Sequence, residues 1–353
     1  MSDDAAETVA EHEIASGEIA AGGGLGGGAA GATPNSLLGH IRRISRRVRP
    51  LLLAIVVVFA FIALRDNWGA VHREARAITP LDLVLSGLAF VGAIACQYLA
   101  WLRALLALHA PRMPHRKAST IFCTAGLGKY VPGAVWPVVI QTEMGSDAGV
   151  PWRLMVASYG LILPLSIATG AIVSALTLTG PAVAWIRPLV IAGAILGLLG
   201  VWLVTHPRAF HSLMDKVLRR LTGEGLPGNL DTRYAVQASL ITFVSWGFAG
   251  LSAWILCRPL GAGASDIPFV VGAFVLSWVC GLVAVPLPAG LGVRDAILVL
   301  TLGELIGHPQ ATTVALLGRL TQVIVDLLLA ALTGVPAAMR RVRGRHSHNT
   351  ARS

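Results

Sequence analysis

The sequence places a lysine inside an apolar stretch that cannot form a regular helix. Lys129 lies within the stretch 118–142 and has apolar neighbours on both sides. An ammonium group inside a bilayer is costly and is by default a candidate for function. Proline removes a backbone N–H and glycine readily adopts positive φ, so four residues break the helix here: Gly126, Gly128, Pro132 and Gly133. Broken backbone at membrane depth requires protein or a water-filled cavity around it. We therefore expect a substrate-binding site that includes Tyr130 and Trp136; the alternative is that Lys129 and Trp136 only anchor the chain at the membrane interface.

A second broken segment, 285–295, repeats part of the amino-acid sequence of the first. Each contains Ala-Gly-Leu-Gly followed within two residues by a cation, here Arg294. The break residues are Pro286, Pro288, Gly290 and Gly292. Transporters built from internal repeats place their sites at such interruptions, so the pattern indicates a possible repeat with Arg294 and Asp295 in the site. Three alternatives stay open: Arg294 is neutralised by Asp295, Arg294 faces an anionic headgroup while Asp295 caps the next helix, or the segment is an ordinary loop.

A polar stripe runs along the last apolar segment. Arg319, Gln322 and Asp326 are spaced by three and four residues, which places them on one face of a helix. Arg319 and Asp326 lie about 10 Å apart along the axis at ~1.5 Å per residue, so we expect partners on other helices. The stripe either lines a cavity or makes a structural ion pair between helices. Gln141 and Glu143 close the first broken segment, either facing a ligand or forming its polar exit.

The composition indicates an all-α, polytopic bundle of membrane helices. The chain is 55% hydrophobic and 13% charged, whereas soluble domains carry about 25% charged residues. Several uncharged stretches reach the ~20 residues that a ~30 Å hydrocarbon core requires. The net charge of +10 comes from Arg and Lys clustered beside these stretches, which fits anionic membrane lipids as partners and not nucleic acid.

Charge placement then predicts the topology. We predict spans near 50–65, 83–104, 153–178, 186–205, 234–257, 267–288 and 312–336. The basic loop 206–233 belongs on the cytoplasmic side if 118–142 dips into the membrane and returns, and 290–307 then crosses. This gives about eight spans plus one re-entrant segment in the cell (plasma) membrane, with both termini cytoplasmic. The expected domains are a disordered acidic and Gly/Ala-rich tail at 1–40, a transmembrane domain at 41–340 and a basic cytoplasmic tail at 341–353.

Little in the sequence favours catalysis or a cofactor. The four cysteines lie in apolar stretches without metal-ligand spacing, so we expect neither a metal nor another cofactor. The sequence lacks a hydrolase elbow, a P-loop and an HExxH motif. We therefore expect a protein that is not an enzyme.

The segments from Gly128 to Trp136 and from Pro288 to Asp295 resemble the transmembrane region of the lysylphosphatidylglycerol synthase family, also called flippase-like membrane proteins. The resemblance covers roughly 45–340. In complete synthases of this family, the membrane region moves aminoacylated phosphatidylglycerol between leaflets and a soluble domain transfers lysine from lysyl-tRNA to the lipid. Residues 337–353 are too few for that domain, so synthase activity is not expected. Many relatives have basic residues just after the first motif, where this chain has Gln141-Thr142-Glu143; the preferred headgroup is therefore left open.

The expected function is translocation or binding of a phospholipid or other amphiphile with a phosphate headgroup. Lys129 and Arg294 would attract the phosphate, since cationic side chains are its natural partners. The alternative is a non-catalytic membrane subunit that docks a soluble glycosyltransferase or aminoacyltransferase through the loop 206–233 and the basic tails.

Overall fold

The computed structural model describes residues 74–130, 135–179, 181–222, 225, 228–283 and 292–350. For some of these residues, 335–350 among them, only the backbone is described. All regular structure in these residues is helical, which confirms the predicted all-α class. The predicted tail at 1–40 and the predicted span at 50–65 lie outside the described residues. The described α-helices are α1 (Pro80–Ala107), α2 (His115–Gly126), α3 (Trp136–Ser146), α4 (Trp152–Thr177), α5 (Arg187–Thr205), α6 (Pro207–Thr222), α7 (Thr232–Cys257), α8 (Ile267–Val283), α9 (Val293–Ile306) and α10 (His308–Thr350).

Helix α1 begins where the sequence supplies a cap. Thr79 precedes α1, and its hydroxyl accepts a hydrogen bond from the amide of Asp82 at 3.3 Å. The carboxylate of Asp82 in turn accepts one from the amide of Thr79 at 3.0 Å. Pro80 occupies the first helical position, where its missing N–H costs nothing. Asp82 also pairs with Arg258 at 2.9 Å, which ties the start of α1 to the end of α7.

The two ends of the bundle differ in charge. At one end, the amide of Asp231 donates to the carbonyl of Ala107 at 2.8 Å, so the segments after α1 and before α7 meet there. We call this the basic end, because the cations around it are Arg103, Arg112, Arg116, Lys117, Arg208, Lys216, Arg219, Arg220 and Arg233. The Asp82–Arg258 pair marks the opposite end. The basic segments that were predicted to share one side of the membrane therefore lie at one end of the bundle.

Two pairs of helices form hairpins that enter the bundle from different ends. At the basic end, Ala118 of α2 and Val150, just after α3, pack in one apolar cluster with Leu108 and Leu230. The outer ends of α2 and α3 therefore lie together. At the opposite end, α8 follows Ala262, and α9 contacts the 3₁₀ turn Pro181–Ile186 that follows α4. The described inner ends of these helices, at Lys129 and at Arg294, lie inside the bundle.

Five helical segments in the described part are long and apolar enough to cross a membrane. They are Pro80–Ala107, Trp152–Thr177, Thr232–Leu260, Ala264–Leu282 and His308–Gly334, and Val190–Leu203 is a shorter apolar helix. These positions agree with the predicted spans from 83–104 onward. Helix α9 has 14 residues and measures about 21 Å, less than a ~30 Å hydrocarbon core. The crossing at 290–307 and the total of eight spans stay predictions.

The outer surface of the bundle is apolar. Leu196 is 67% exposed and Leu332 is 70% exposed, and α5 alone presents several more such side chains: Ile191, Ile195, Leu198, Leu199 and Trp202. A soluble protein rarely exposes an apolar surface of this extent, whereas lipid tails cover it without cost. The chain is therefore an integral membrane protein.

Candidate functional site

Cations from the two hairpins meet at the ring of Trp278. Lys129 lies in the 3₁₀ turn Leu127–Tyr130 that follows α2, and its Nζ lies 5.9 Å from the centroid of Trp278. Arg294 lies in the first turn of α9, and its guanidinium carbon lies 4.2 Å from the same centroid. The two cations that the sequence singled out, 165 positions apart, thus contact one aromatic side chain in the middle of the bundle.

Lys129 is paired with the last helix. Its Nζ lies 2.5 Å from Oδ2 of Asp326 on α10. The hydroxyl of Tyr130 donates to the same carboxylate oxygen at 2.5 Å. Asp326 is buried, whereas the side chain of Lys129 is 28% exposed. A carboxylate in an apolar bundle needs such partners, because an unpaired buried charge is strongly destabilising.

The other members of the stripe bind the start of α9. Arg319 pairs with Asp295, and Nη2 of Arg294 donates to Oε1 of Gln322 at 2.7 Å. Asp295 also accepts from the amide of Gly292 at 3.4 Å, so it caps α9 as one of the sequence alternatives proposed. The prediction that Arg319 and Asp326 have partners on other helices is confirmed.

The site carries one positive charge in excess. Its described cations are Lys129, Arg294 and Arg319, and its described carboxylates are Asp295 and Asp326, so the formal sum is 3 − 2 = +1. Both carboxylates are paired with other cations. Arg294 is only 6% exposed, and its printed hydrogen bond goes to a neutral amide. Its Nε has no hydrogen-bond partner among the described residues. The excess charge therefore resides on Arg294.

A cavity of about 190 Å³ opens beside Lys129 and Asp326. It reaches from α2 and α3 to α4, α7 and α8. Its aromatic walls come from Trp101, Phe122, Tyr159, Trp246 and Trp278. Gln141 of α3 lines it as well and is 4% exposed. The site thus combines a charged cluster with an adjacent, largely aromatic pocket, as ligand sites in proteins commonly do.

Gly128 allows the first hairpin to close. A Cβ atom added at Gly128 would lie 2.7 Å from the backbone nitrogen of Pro137 and 2.9 Å from the carbonyl carbon of Trp136. Both atoms belong to backbone, which cannot move aside as a flexible side chain does. The same addition at Gly126 meets nothing within 4 Å. Of these two glycines, Gly128 is the one that the close approach of α3 requires.

The structure separates some residues that the sequence grouped. Gln141 lines the cavity, whereas Glu143 is two residues further along α3 and so lies on another face of the helix. Trp136 begins α3, and the adjacent Pro137 contacts the cavity instead. Five predicted break residues lie outside the described part of the chain: Pro132, Gly133, Pro286, Pro288 and Gly290. Gly292 is described, and its φ of +83° is a conformation that favours glycine.

Sequence reasoning predicted Tyr130 but missed the two tryptophans of the site, Trp246 and Trp278. Trp278 contacts both cations, and Trp246 packs edge-on against it with ring centroids 6.5 Å apart. The signal that could have identified these two tryptophans was their position within the apolar spans. Tryptophans of membrane helices concentrate at the interfaces, whereas Trp246 and Trp278 stand near the middle of apolar spans.

A family model described as the lysylphosphatidylglycerol synthase TM region matches residues 49–330, which includes every described residue of the site. No curated protein matches the chain.

Proposed function

Because the chain belongs to the family of the lysylphosphatidylglycerol synthase transmembrane region, we propose that it translocates an amphiphile with a phosphate headgroup, most simply a phospholipid, across the bilayer. The family links this integral membrane protein to lipid handling. The substrate and the movement between leaflets are the proposal.

The excess charge on Arg294 carries the proposal. A buried guanidinium without a carboxylate of its own is unfavourable in an apolar bundle. A phosphodiester carries one negative charge and presents oxygens in the geometry that a guanidinium binds best. One such headgroup would bring the formal charge of the site to zero.

Lys129 supports the proposal from the cavity side. Its partner Asp326 is held by Tyr130 as well, so Lys129 can turn towards a phosphate while the carboxylate keeps one hydrogen bond. The partial exposure of Lys129 at the cavity gives a headgroup access to it. The headgroup and Asp326 would then share Lys129, and the formal charges of the site would sum to zero.

The two hairpins suggest how a headgroup reaches the site from either leaflet. Lys129 and Arg294 meet at Trp278, and the outer ends of the two hairpins lie at different ends of the bundle. Within the proposal, α2 and α3 form a re-entrant segment from the cytoplasmic side. Helices α8 and α9 form its counterpart from the other side in an inverted repeat, in place of the two crossings that the sequence predicted. Broken helices in this arrangement are typical of transporters with a site near the bilayer midplane. The basic end then faces the cytoplasm of a plasma-membrane protein, with both termini on that side.

We further propose that the bundle is not catalytic. A cation engages each of the carboxylates Asp82, Asp295 and Asp326 in the described structure. Asp295 and Asp326 are therefore assigned to holding the cations of the site, and Asp82 to tying the start of α1 to the end of α7.

Translocation in reconstituted vesicles tests the proposal. A headgroup-labelled fluorescent phospholipid is bleached by dithionite only in the outer leaflet, so its loss from the inner leaflet reports the rate. Arg294→Gln should slow translocation at least about tenfold, because a contribution of ~1.4 kcal/mol to the barrier corresponds to that factor. Arg294→Lys keeps the charge and should retain part of the rate.

Arg258→Gln is the matched control, since it removes an arginine that pairs with Asp82 at the opposite end, away from the cavity. It should translocate at the wild-type rate. All variants are compared as folded protein that elutes as one species. A folded Arg294→Gln protein that translocates lipid as fast as the wild type contradicts the proposal.

A further inference from the structure

Helix α6 separates apolar residues from basic ones. Its apolar residues recur three and four positions apart, which places them on one face of the helix. They are Phe210, Leu213, Met214, Val217, Leu218 and Leu221. At about 100° per residue, Lys216 and Arg220 fall beside this apolar face, and both are exposed. The pattern is typical of a helix that lies at the boundary between an apolar and an aqueous phase.

The bundle covers the apolar face of α6 at its start and leaves it uncovered further on. Phe210 is 3% exposed and belongs to the apolar cluster at the basic end. Leu213, about one turn later, is 48% exposed. Among the described side chains, the apolar face therefore extends beyond the protein core, where another apolar phase can cover it.

The end of α5 shows at which level α6 begins. Trp202 lies in the last turn of α5, is 53% exposed and stacks on His206 with ring centroids 4.4 Å apart. Tryptophans of membrane helices concentrate at the membrane–water interface. His206 has an extended backbone, with φ −102° and ψ 91°, so α6 starts at Pro207 in a direction of its own. Helix α6 thus begins at the headgroup layer of the basic end.

We propose that α6 lies along the membrane surface at the basic end and binds anionic lipid there. Its apolar face reaches below the headgroups at Leu213, while Lys216 and Arg220 meet the lipid phosphates from the border of that face. A bilayer is the occupant because the helix starts at the level of Trp202. Its apolar face with bordering cations is complementary to acyl chains below anionic headgroups.

The inference goes beyond the proposed function. No described residue of α6 lines the cavity, so the helix binds the bulk membrane and not the transported molecule. Because the attraction comes from charge, it does not depend on which anionic headgroup carries that charge, and salt weakens it.

Hydrogen–deuterium exchange of the full chain in nanodiscs tests the inference. The discs contain phosphatidylcholine alone, or equal parts of phosphatidylcholine and either phosphatidylglycerol or phosphatidylserine. The amides of 208–222 should exchange at least about fivefold more slowly in both anionic discs than in the neutral disc, the factor that one cation near an anionic surface supplies. About 1 M salt should remove most of this difference, because it screens charges beyond ~3 Å. The amides of α4 are the internal reference and should exchange alike in all three discs.

Two pairs of substitutions separate the cations of α6 from the other cations of the basic end. Lys216→Gln combined with Arg220→Gln removes the charges beside the apolar face, and anionic discs should then protect 208–222 no more than the neutral disc does. Arg112→Gln combined with Arg116→Gln is the matched control, since both arginines are exposed at the same end but lie outside α6. The control pair should keep the full difference.

Equal exchange of 208–222 in the three wild-type discs overturns the inference and assigns the basic face of α6 to a soluble partner. A difference confined to one of the two anionic lipids, or one that the control pair also abolishes, overturns it as well. The measurement does not involve translocation, so its failure leaves the proposed function untouched.

Discussion

Arg294 is held in place by a neutral partner in a position where a carboxylate would fit. Nη2 of Arg294 donates to Gln322, whose side chain has the same shape as glutamate. A glutamate there would neutralise the guanidinium permanently and would stabilise the unliganded bundle. The amide of Gln322 leaves the positive charge of Arg294 unneutralised, which agrees with a site that must bind and release an anion.

The role of Gln322 can be tested by changing charge without changing shape. Gln322→Glu brings the formal charge of the site from +1 to zero. We expect anionic lipids to bind about tenfold more weakly, a loss of ~1.4 kcal/mol, while thermal stability stays equal or rises. Native mass spectrometry and a thermal unfolding assay measure the two quantities.

Gln322→Met is the companion variant, since it removes the acceptor and adds no charge. It should lower stability by about 1–3 kcal/mol and keep the affinity for anionic lipids. Equal lipid affinity in the glutamate variant and the wild type would show that the excess charge has no role in binding.

The sequence predicted the charged residues of the site but not all of their partners. Lys129, Arg294 and Asp326 are visible because an ionisable residue inside an apolar span is rare. The helical spacing of Arg319 and Asp326 also predicted that each needs a partner on another helix. The spacing could not show that Asp326 pairs with Lys129 and Arg319 with Asp295, because these pairings depend on how distant helices pack.

At the scale of elements, the turn between α2 and α3 depends on one close approach. The backbone of Gly128 packs against the backbone at Pro137, and Lys129 and Tyr130 follow directly. A side chain at Gly128 would push α3 away and would displace both residues from Asp326. Glycine here serves the contact between two backbones, which the sequence indicated only as a general break in the helix.

Two alanine substitutions separate this contact from the general effect of removing a glycine. Gly128→Ala should destabilise the protein by about 1–3 kcal/mol, the range for overpacking, and should slow lipid translocation. Gly126→Ala adds the same methyl group where there is space, and it should be neutral or stabilise by up to ~1 kcal/mol, because alanine favours the helix. Thermal unfolding and the vesicle assay measure both. Equal stability of the two variants would contradict the assignment.

At the scale of the whole molecule, the hairpins from the two ends of the bundle bring the two broken segments together. The repeated Ala-Gly-Leu-Gly sequence indicated that the two segments are equivalent parts of a possible internal repeat, and their cations do meet at Trp278. The positions of the apolar spans followed from hydropathy because the bilayer fixes their length. The cavity did not follow from the sequence, since its lining comes from seven helices, many of them distant along the chain: α1, α2, α3, α4, α7, α8 and α10. The internal repeat stays a prediction.

The central claim is that a lipid headgroup enters the bundle and reaches the cavity. A photo-reactive leucine analogue at Leu163, which lines the cavity on α4, captures whatever molecule lies there. The same analogue at Leu196, on the lipid-facing surface of α5, is the control. After irradiation in vesicles, mass spectrometry identifies the adduct and the part of the lipid that is attached. We predict attachment through the headgroup at Leu163 and through an acyl chain at Leu196. Capture of only water or acyl chains at position 163 would contradict the account, provided that the analogue at position 196 captures acyl chains as expected.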